Sequence, residues 1–199
     1  MATPPWTAQY NFSNTPEQNG FTRQVNGTAV LTLNQTGTPA NRNVNVSCPA
    51  PSDSVVCLTS TVPSLNEAVG ATAEAIVTVS GTSSGPYPPD AGFELDFLNH
   101  NVQILIQPSA IVISIGDDTN SANQNTTIQT ASNGTATTVR LTVDALGNIS
   151  VYRNTVLIFG PTQWPVSVSP FQRVLFWGEN GGTQVFTEMA YYLGGAVAP

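Results

Sequence analysis

Lysine is absent from this chain, and charge of either sign is scarce. Five arginines, twelve carboxylates and one histidine stand among 199 residues, 9% are charged, and the formal net charge is -7. An ordinary globular chain is about 25% charged. So few cations exclude the basic footprint that phosphate-backbone binding needs, and no nucleic-acid partner is expected. No basic amphipathic stretch suggests attachment to a membrane surface, and the apolar runs are far too short to cross a bilayer as a helix. One histidine and two cysteines cannot build a zinc site. No Gly-x-Ser-x-Gly elbow precedes a helix, so a hydrolase triad around His100 has no support, and the glycines at 181–182 lack the lysine of a phosphate loop. The opening MATPPWTAQYNF has neither the basic nor the apolar region of a signal peptide. The expectation is an extracellular or virion-surface protein whose leader was removed or which leaves the cell inside a particle.

What is present is Asn, Thr, Ser and Gln in place of charge, with 16 Gly and 15 Pro as punctuation. Seven Asn-x-Ser/Thr sequons occur, as a chain so rich in these residues produces by chance; glycans on them would mark surface positions. The two cysteines, Cys48 and Cys57, flank a Pro-rich loop, CPAPSDSVVC. A disulfide is expected there, adding about 2–3 kcal/mol by restricting the unfolded chain.

Apolar residues recur at every second position through most of the chain, which is the pattern of strands with one buried face. Val139, Leu141 and Val143 share one face, with Arg140, Thr142 and Asp144 on the other; Val102, Ile104 and Ile106 repeat the pattern. The last strand alternates from Val185 to Leu193 and reads as internal to a sheet. The best helix candidate, Ser64 to Ala75, has a capping-box spacing from Ser64 to Glu67 but is interrupted by Gly70, so at most a short turn is expected. Twelve to fourteen short strands without crossover helices predict an all-β, antiparallel two-sheet jelly-roll sandwich. A single domain over 1–199 is expected, with its core at about 5–194 and a short flexible C-terminal tail.

The order of certain segments carries a resemblance. VRLTVDALGNISVYRNTVLIFG, then VLFWGENGG, then FTEMAYYLGG resembles the C-terminal half of concanavalin A-like lectin/glucanase domains, including the laminin G-like group. Ala73–Val79 resembles an earlier strand of that superfamily, and Phe93–Ile115 the paired strands after it. The chain departs from the pattern at Ala136-Thr137, where an aromatic-His pair is usual, and at Asn154-Thr155, in place of a turn glycine. The resemblance implies a lectin-like, carbohydrate-binding sandwich.

It also prompts a test for catalysis. Glu94-Leu95-Asp96-Phe97-Leu98-Asn99 is similar to the E-x-D-x-x-E strand of the family's glucanases. On a strand Glu94 and Asp96 share a face. The acid/base position, however, is Asn99, which cannot donate a proton as a carboxylic acid does. No enzyme is therefore expected, and a β-glucanase is the weaker alternative. A glucanase-like face without its acid can still bind sugar. Asp117 and Asp118 are weak candidates for a calcium loop, and no cofactor is expected otherwise.

Sugar sites set an aromatic ring against the apolar face of a pyranose and give the hydroxyls to Asn, Asp or Gln. The loop residues that match are Tyr87 and Asp90 in GPYPPDAG, Asn99, Trp164 in PTQWPV, and Trp177 and Asn180 in FWGENGG. The functional expectation is a non-catalytic surface protein, either a decoration or assembly subunit with glycan recognition or a free-standing lectin-like module. Its expected partners are other subunits of a surface assembly or capsid, glycans, and further copies of itself in a homo-oligomer.

Overall fold

The computed structural model describes residues 5–10, 12, 14–36, 38, 42–59, 70–82, 85–97, 100–117, 124–130, 133–163 and 171–199, without the side chains of 58, 59, 117, 124, 171 and 172. Two antiparallel sheets pack face to face. Sheet 1 runs β13 (Val156–Gln163), β12 (Asn148–Arg153), β11 (Thr137–Val143), β6 (Ala71–Ser80), β15 (Thr183–Tyr192), β4 (Asn43–Ser47) and β3 (Val30–Asn34), and β1 (Ala8–Tyr10) joins it beside β15. Sheet 2 runs β10 (Gln124–Thr130), β9 (Ala110–Asp117), β8 (His100–Ile106), β7 (Asp90–Phe97), β14 (Phe171–Glu179), β5 (Ser54–Thr59) and β2 (Phe21–Asn26).

The period-two pattern decides which side chains go inside. Val139, Leu141 and Val143 on β11 face Ala71, Ala73 and Ala75 across the ladder, and all six are fully buried. On sheet 2 the matching rows are Phe176–Phe93–Ile104–Ile113 and Val174–Leu95–Val102. A chain of rings runs from Phe93 through Phe176, Phe21 and Tyr10 to Phe12, with centroids 6.1, 5.8, 6.0 and 4.4 Å apart. Each such pair adds roughly 0.5–1.5 kcal/mol beyond its buried area.

The closing strand β15 is internal, as its alternation predicts. It pairs with β6 along one edge, and with β4 and then β1 along the other. The helix candidate resolves differently: 60–69 lie outside the described residues, and from Ala71 the chain is strand, because alternating small residues suit a fully buried pleat better than a helix face.

The disulfide is not formed. Cys48 and Cys57 are both free and buried. Cys48 follows β4 in sheet 1, whereas Cys57 lies on β5 in sheet 2 opposite Phe176, so the loop between them crosses from one sheet to the other. The Cys48 thiol points to the Gly178 carbonyl at 3.6 Å and the Gln184 amide oxygen at 3.8 Å. Burial pushes the two thiols up, Cys48 to about 11 and Cys57 to about 12.

The tail beyond Leu193 lies across the outward face of sheet 1. The Thr72 hydroxyl donates to the Gly195 carbonyl at 2.9 Å and accepts from the Val197 amide at 3.0 Å, while Arg140 donates to the Val197 carbonyl at 3.3 Å.

Candidate ligand-binding site

Asp90, Trp177, Glu179 and Asn180 gather at one end of sheet 2, where β7 begins and β14 ends. The register sets Asp90 opposite Glu179 and Gly92 opposite Trp177, all on the face turned away from the core. Trp177 lies over Gly92 because that position has no side chain: a Cβ on Gly92 would sit 2.5 Å from the indole ring and against the Ile104 carbonyl. Beyond Glu179 the chain turns through Asn180, Gly181 and Gly182, with φ of 65°, 89° and 69°. Asparagine tolerates this left-handed conformation better than most residues, and glycine adopts it freely. The turn leads from sheet 2 to sheet 1, so the site lies on a rim where the two are bridged.

Asp90 is the hub. Its Oδ1 accepts from Trp177 Nε1 at 3.1 Å and its Oδ2 accepts from Asn180 Nδ2 at 3.0 Å. Its carboxyl also shares a hydrogen bond with Glu179. Burial is the largest influence on Asp90 and the neighbouring Glu179 charge the next, and together they push its carboxyl up to about 7 against the pull of Asn180 and Trp177. Burial raises Glu179 as well. Both carboxyls therefore hold a proton more tightly than an exposed acid does.

The surrounding loops are braced. The Asp53 carboxylate accepts from the Thr28 amide, the Thr28 hydroxyl and the Ala50 amide at 3.0, 2.7 and 2.9 Å. These bonds, that from the Thr28 hydroxyl first, hold it below the usual carboxylate range. The Asp53 carbonyl in turn accepts from the Asn180 amide at 3.1 Å. Gln184, fully buried, donates to the carbonyls of Glu179 and Gly181 at 3.2 and 2.8 Å and closes the turn from below.

Of the six residues singled out from the sequence, Asp90, Trp177 and Asn180 are joined directly by hydrogen bonds. Tyr87, 66% exposed, lies three residues before Asp90 on the loop leading into β7. Trp177 is buried, whereas Tyr87 is exposed. Asn99, Trp164 and Asp118 lie outside the described residues, as does the side chain of Asp117. Glu179 is not among the six, although it stands two positions after Trp177 and so on the same pleat.

Further along the same face, Glu94 accepts from Gln103 Nε2 at 2.6 Å, and Asp96 pairs with Arg173 Nε at 2.6 Å. The two acids share a pleat as expected, but each has its own partner from a neighbouring strand.

No protein-family model matches the sequence, and no curated protein does. Solved structures do match. The receptor-binding domain of botulinum neurotoxin type G superposes on 97% of this chain and 49% of its own, with a TM-score of 0.64 and 10% identity. This chain thus spans about half the length of that domain. The cellulose-induced protein Cip1 superposes over 92% of this chain and 96% of its own, with a TM-score of 0.63 and 14% identity. The potassium-bound carbohydrate recognition domain of Emp46p does so over 91% and 93%, with a TM-score of 0.63 and 13% identity. Identity this low shows a common fold, an antiparallel two-sheet sandwich, and leaves function to the site.

Proposed function

We propose that this protein is a non-catalytic carbohydrate-binding sandwich acting outside the cell or on a particle surface, with its ligand seated at the rim formed by Tyr87, Asp90, Trp177 and Asn180. The observation that carries the reading is the convergence of Trp177 and Asn180 on Asp90, within 3.1 Å, three residues along the chain from the exposed Tyr87. A sugar offers an apolar ring face and a fan of hydroxyls. An exposed aromatic on the loop that leads to a fixed carboxylate and amide offers complementary chemistry. The name of the Emp46p domain describes carbohydrate recognition, and one neurotoxin structure describes cell entry through two ganglioside molecules. These neighbours support the reading by analogy of fold. Asn99 and Trp164 belong to it as further contacts on the same grounds of residue type.

Two features argue against catalysis. Glu94 and Asp96 are each engaged by a neighbouring side chain. Asp90 and Glu179 stand within hydrogen-bonding reach of each other. A retaining glycosidase holds its carboxyls about 5–5.5 Å apart, with the scissile bond between them. The proposal requires no cofactor.

The test is a broad array of neutral and acidic glycans probed with the wild-type protein, Tyr87→Ala and Asn180→Ala. Binding that falls at least tenfold in both variants while their melting temperatures hold supports the site. Silence of the wild-type protein across the array overturns it.

A second reading, as a subunit of a homo-oligomeric surface assembly such as a capsid decoration, is favoured by the edge at β3. Its sequence, VLTLN, contains no charge and no proline, and Val30 is 53% exposed. Edges left without such blocks pair readily with another chain. Two copies related about Thr32 would bring Leu31 opposite Leu33. Light scattering at micromolar concentration should then show a dimer that Thr32→Lys dissociates, and a wild-type monomer would exclude this contact.

A further inference from the structure

A second recessed site lies on the other sheet, away from the rim. On the outward face of sheet 1, Thr142 and Ser150 form one rung of the β11–β12 ladder, and Arg140 and Tyr152 form the next. Beside them is a hollow of about 350 Å³. Its floor is Thr142, Ser150 and Tyr152; one end is the turn carrying Asp144 and Asn148; its wall is Ala196 and Ala198 of the tail. We propose that this hollow binds one neutral sugar ring or a polyol of similar size.

Volume sets the first limit. Small-molecule sites begin at about 300 Å³, so there is room for one ring and not for a chain of them. The lining sets the second. No arginine or histidine lines the hollow. Its one ionisable acid, Asp144, accepts from the amides of Leu146 and Asn148 at 2.8 Å each and from Asn148 Nδ2 at 2.8 Å. Burial alone would raise this carboxyl, but the hydrogen bonds from Asn148, Leu146 and Gly147 outweigh it and leave it lowered. The site is therefore anionic at neutral pH and repels phosphate, sulfate and carboxylate ligands.

Orientation sets the third limit. Bonding of Asn148 Nδ2 to Asp144 orients the Asn148 amide and leaves its Oδ1 as an acceptor. The Thr142 hydroxyl spends its hydrogen on the Ser150 carbonyl at 3.4 Å and likewise offers lone pairs. Acceptors on Asp144, Asn148 and Thr142, with the Ser150 and Tyr152 hydroxyls able to donate or accept, suit a ligand whose hydroxyls do both, and the Tyr152 ring suits its apolar face. The wall is fixed too, since the Thr72 and Arg140 bonds hold the tail in place. Small residues at 196 and 198 keep the opening clear.

The experiment is a proton–nitrogen NMR titration of the full chain. The probes are the methyl glycosides of glucose, galactose, mannose and N-acetylglucosamine, with glucose 6-phosphate and sialic acid as charged comparators. At least one neutral glycoside is expected to shift the amides of Asn148, Ser150 and Tyr152 at millimolar concentration, and the charged sugars are not. Ala198→Trp fills the hollow from the tail and leaves every residue of the turn and the sheet unchanged, and should weaken that response at least tenfold. Tyr152→Ala should do the same. Tyr87→Ala, at the rim, should leave it unchanged, which separates this site from the proposed function. Absence of shifts at these amides for all four glycosides overturns the inference. So does an equal response to the charged sugars, or a response that survives both Ala198→Trp and Tyr152→Ala.

Discussion

Asp90 and Glu179 face each other across the last rung of the β7–β14 ladder and are hydrogen-bonded through their carboxyls. The pair makes stability depend on pH in a definite direction. Asp90 binds its proton more tightly folded, with a value raised from 3.8 to about 7, than unfolded. An acid with a raised value stabilises the fold fully below its unfolded value, and that contribution is lost as pH rises through the folded one. Stability should therefore decline between about pH 4 and pH 7, by on the order of 2–4 kcal/mol from this pair. Asp90→Asn imitates the protonated acid and should flatten the decline. Urea midpoints for the two proteins at pH 4, 6 and 8 check this. Parallel curves for wild type and variant would remove the dyad as the cause.

Gly92 predicts a packing effect. Its missing side chain is the space occupied by the Trp177 ring and approached by the Ile104 carbonyl. Gly92→Ala should push the indole aside and cost roughly 1–3 kcal/mol, the range for overpacking a filled site. It should also break the Trp177–Asp90 bond, so tryptophan fluorescence and near-ultraviolet dichroism should change along with stability. A variant of wild-type stability with an unchanged tryptophan signal would show that the ring does not need this gap.

How far the sequence revealed this arrangement can be judged from particular residues. Alternation placed Val139, Leu141 and Val143 inward and Arg140 and Thr142 outward, because the side-chain period of a strand is two and needs no knowledge of its partner. Partners are another matter: β6 pairs with β15 more than a hundred residues later, and nothing local specifies that choice. The same gap explains the cysteines. The spacing of Cys48 and Cys57 suits a bridged loop within one sheet, but the loop passes between sheets, and each thiol is buried in its own surroundings. At the rim, residue type singles out Asp90, Trp177 and Asn180 as candidates but not the hydrogen bonds that join them. The ladder register that sets Glu179 against Asp90 arises only on folding.

The free thiols give a chemical prediction. Both are buried, and burial is the first cause holding them protonated at neutral pH, where a thiol is a poor nucleophile. Alkylating reagents should leave the native protein nearly unmodified and label two cysteines after denaturation without reductant. Dithiothreitol should leave the melting temperature unchanged, whereas loss of a disulfide would lower it by several degrees. Mass spectrometry after alkylation under denaturing, non-reducing conditions decides the matter, since a bridged protein would take up no label.

Arg140 links the sheet to the tail, and removing it should be costly. It is 3% exposed and pairs with Glu74 at 2.7 Å on the adjacent strand. It also donates to the Val197 carbonyl, and its guanidinium lies 5.6 Å from the centre of the Trp6 ring. Removing one member of a buried ion pair leaves the other charge unmatched, at about 3–5 kcal/mol. Arg140→Leu should lose that much and also free the tail, giving faster amide exchange at Val197. Glu74→Leu should cost a similar amount, because it strands the guanidinium. The double substitution Glu74→Leu with Arg140→Leu should recover most of the stability, since no charge then remains buried, but not the slow exchange at Val197, which depends on the lost donor. Denaturant midpoints for the four proteins, with exchange measured at Val197, separate the two roles. A double variant no more stable than either single one would mean that Arg140 stabilises the fold by packing and not by charge.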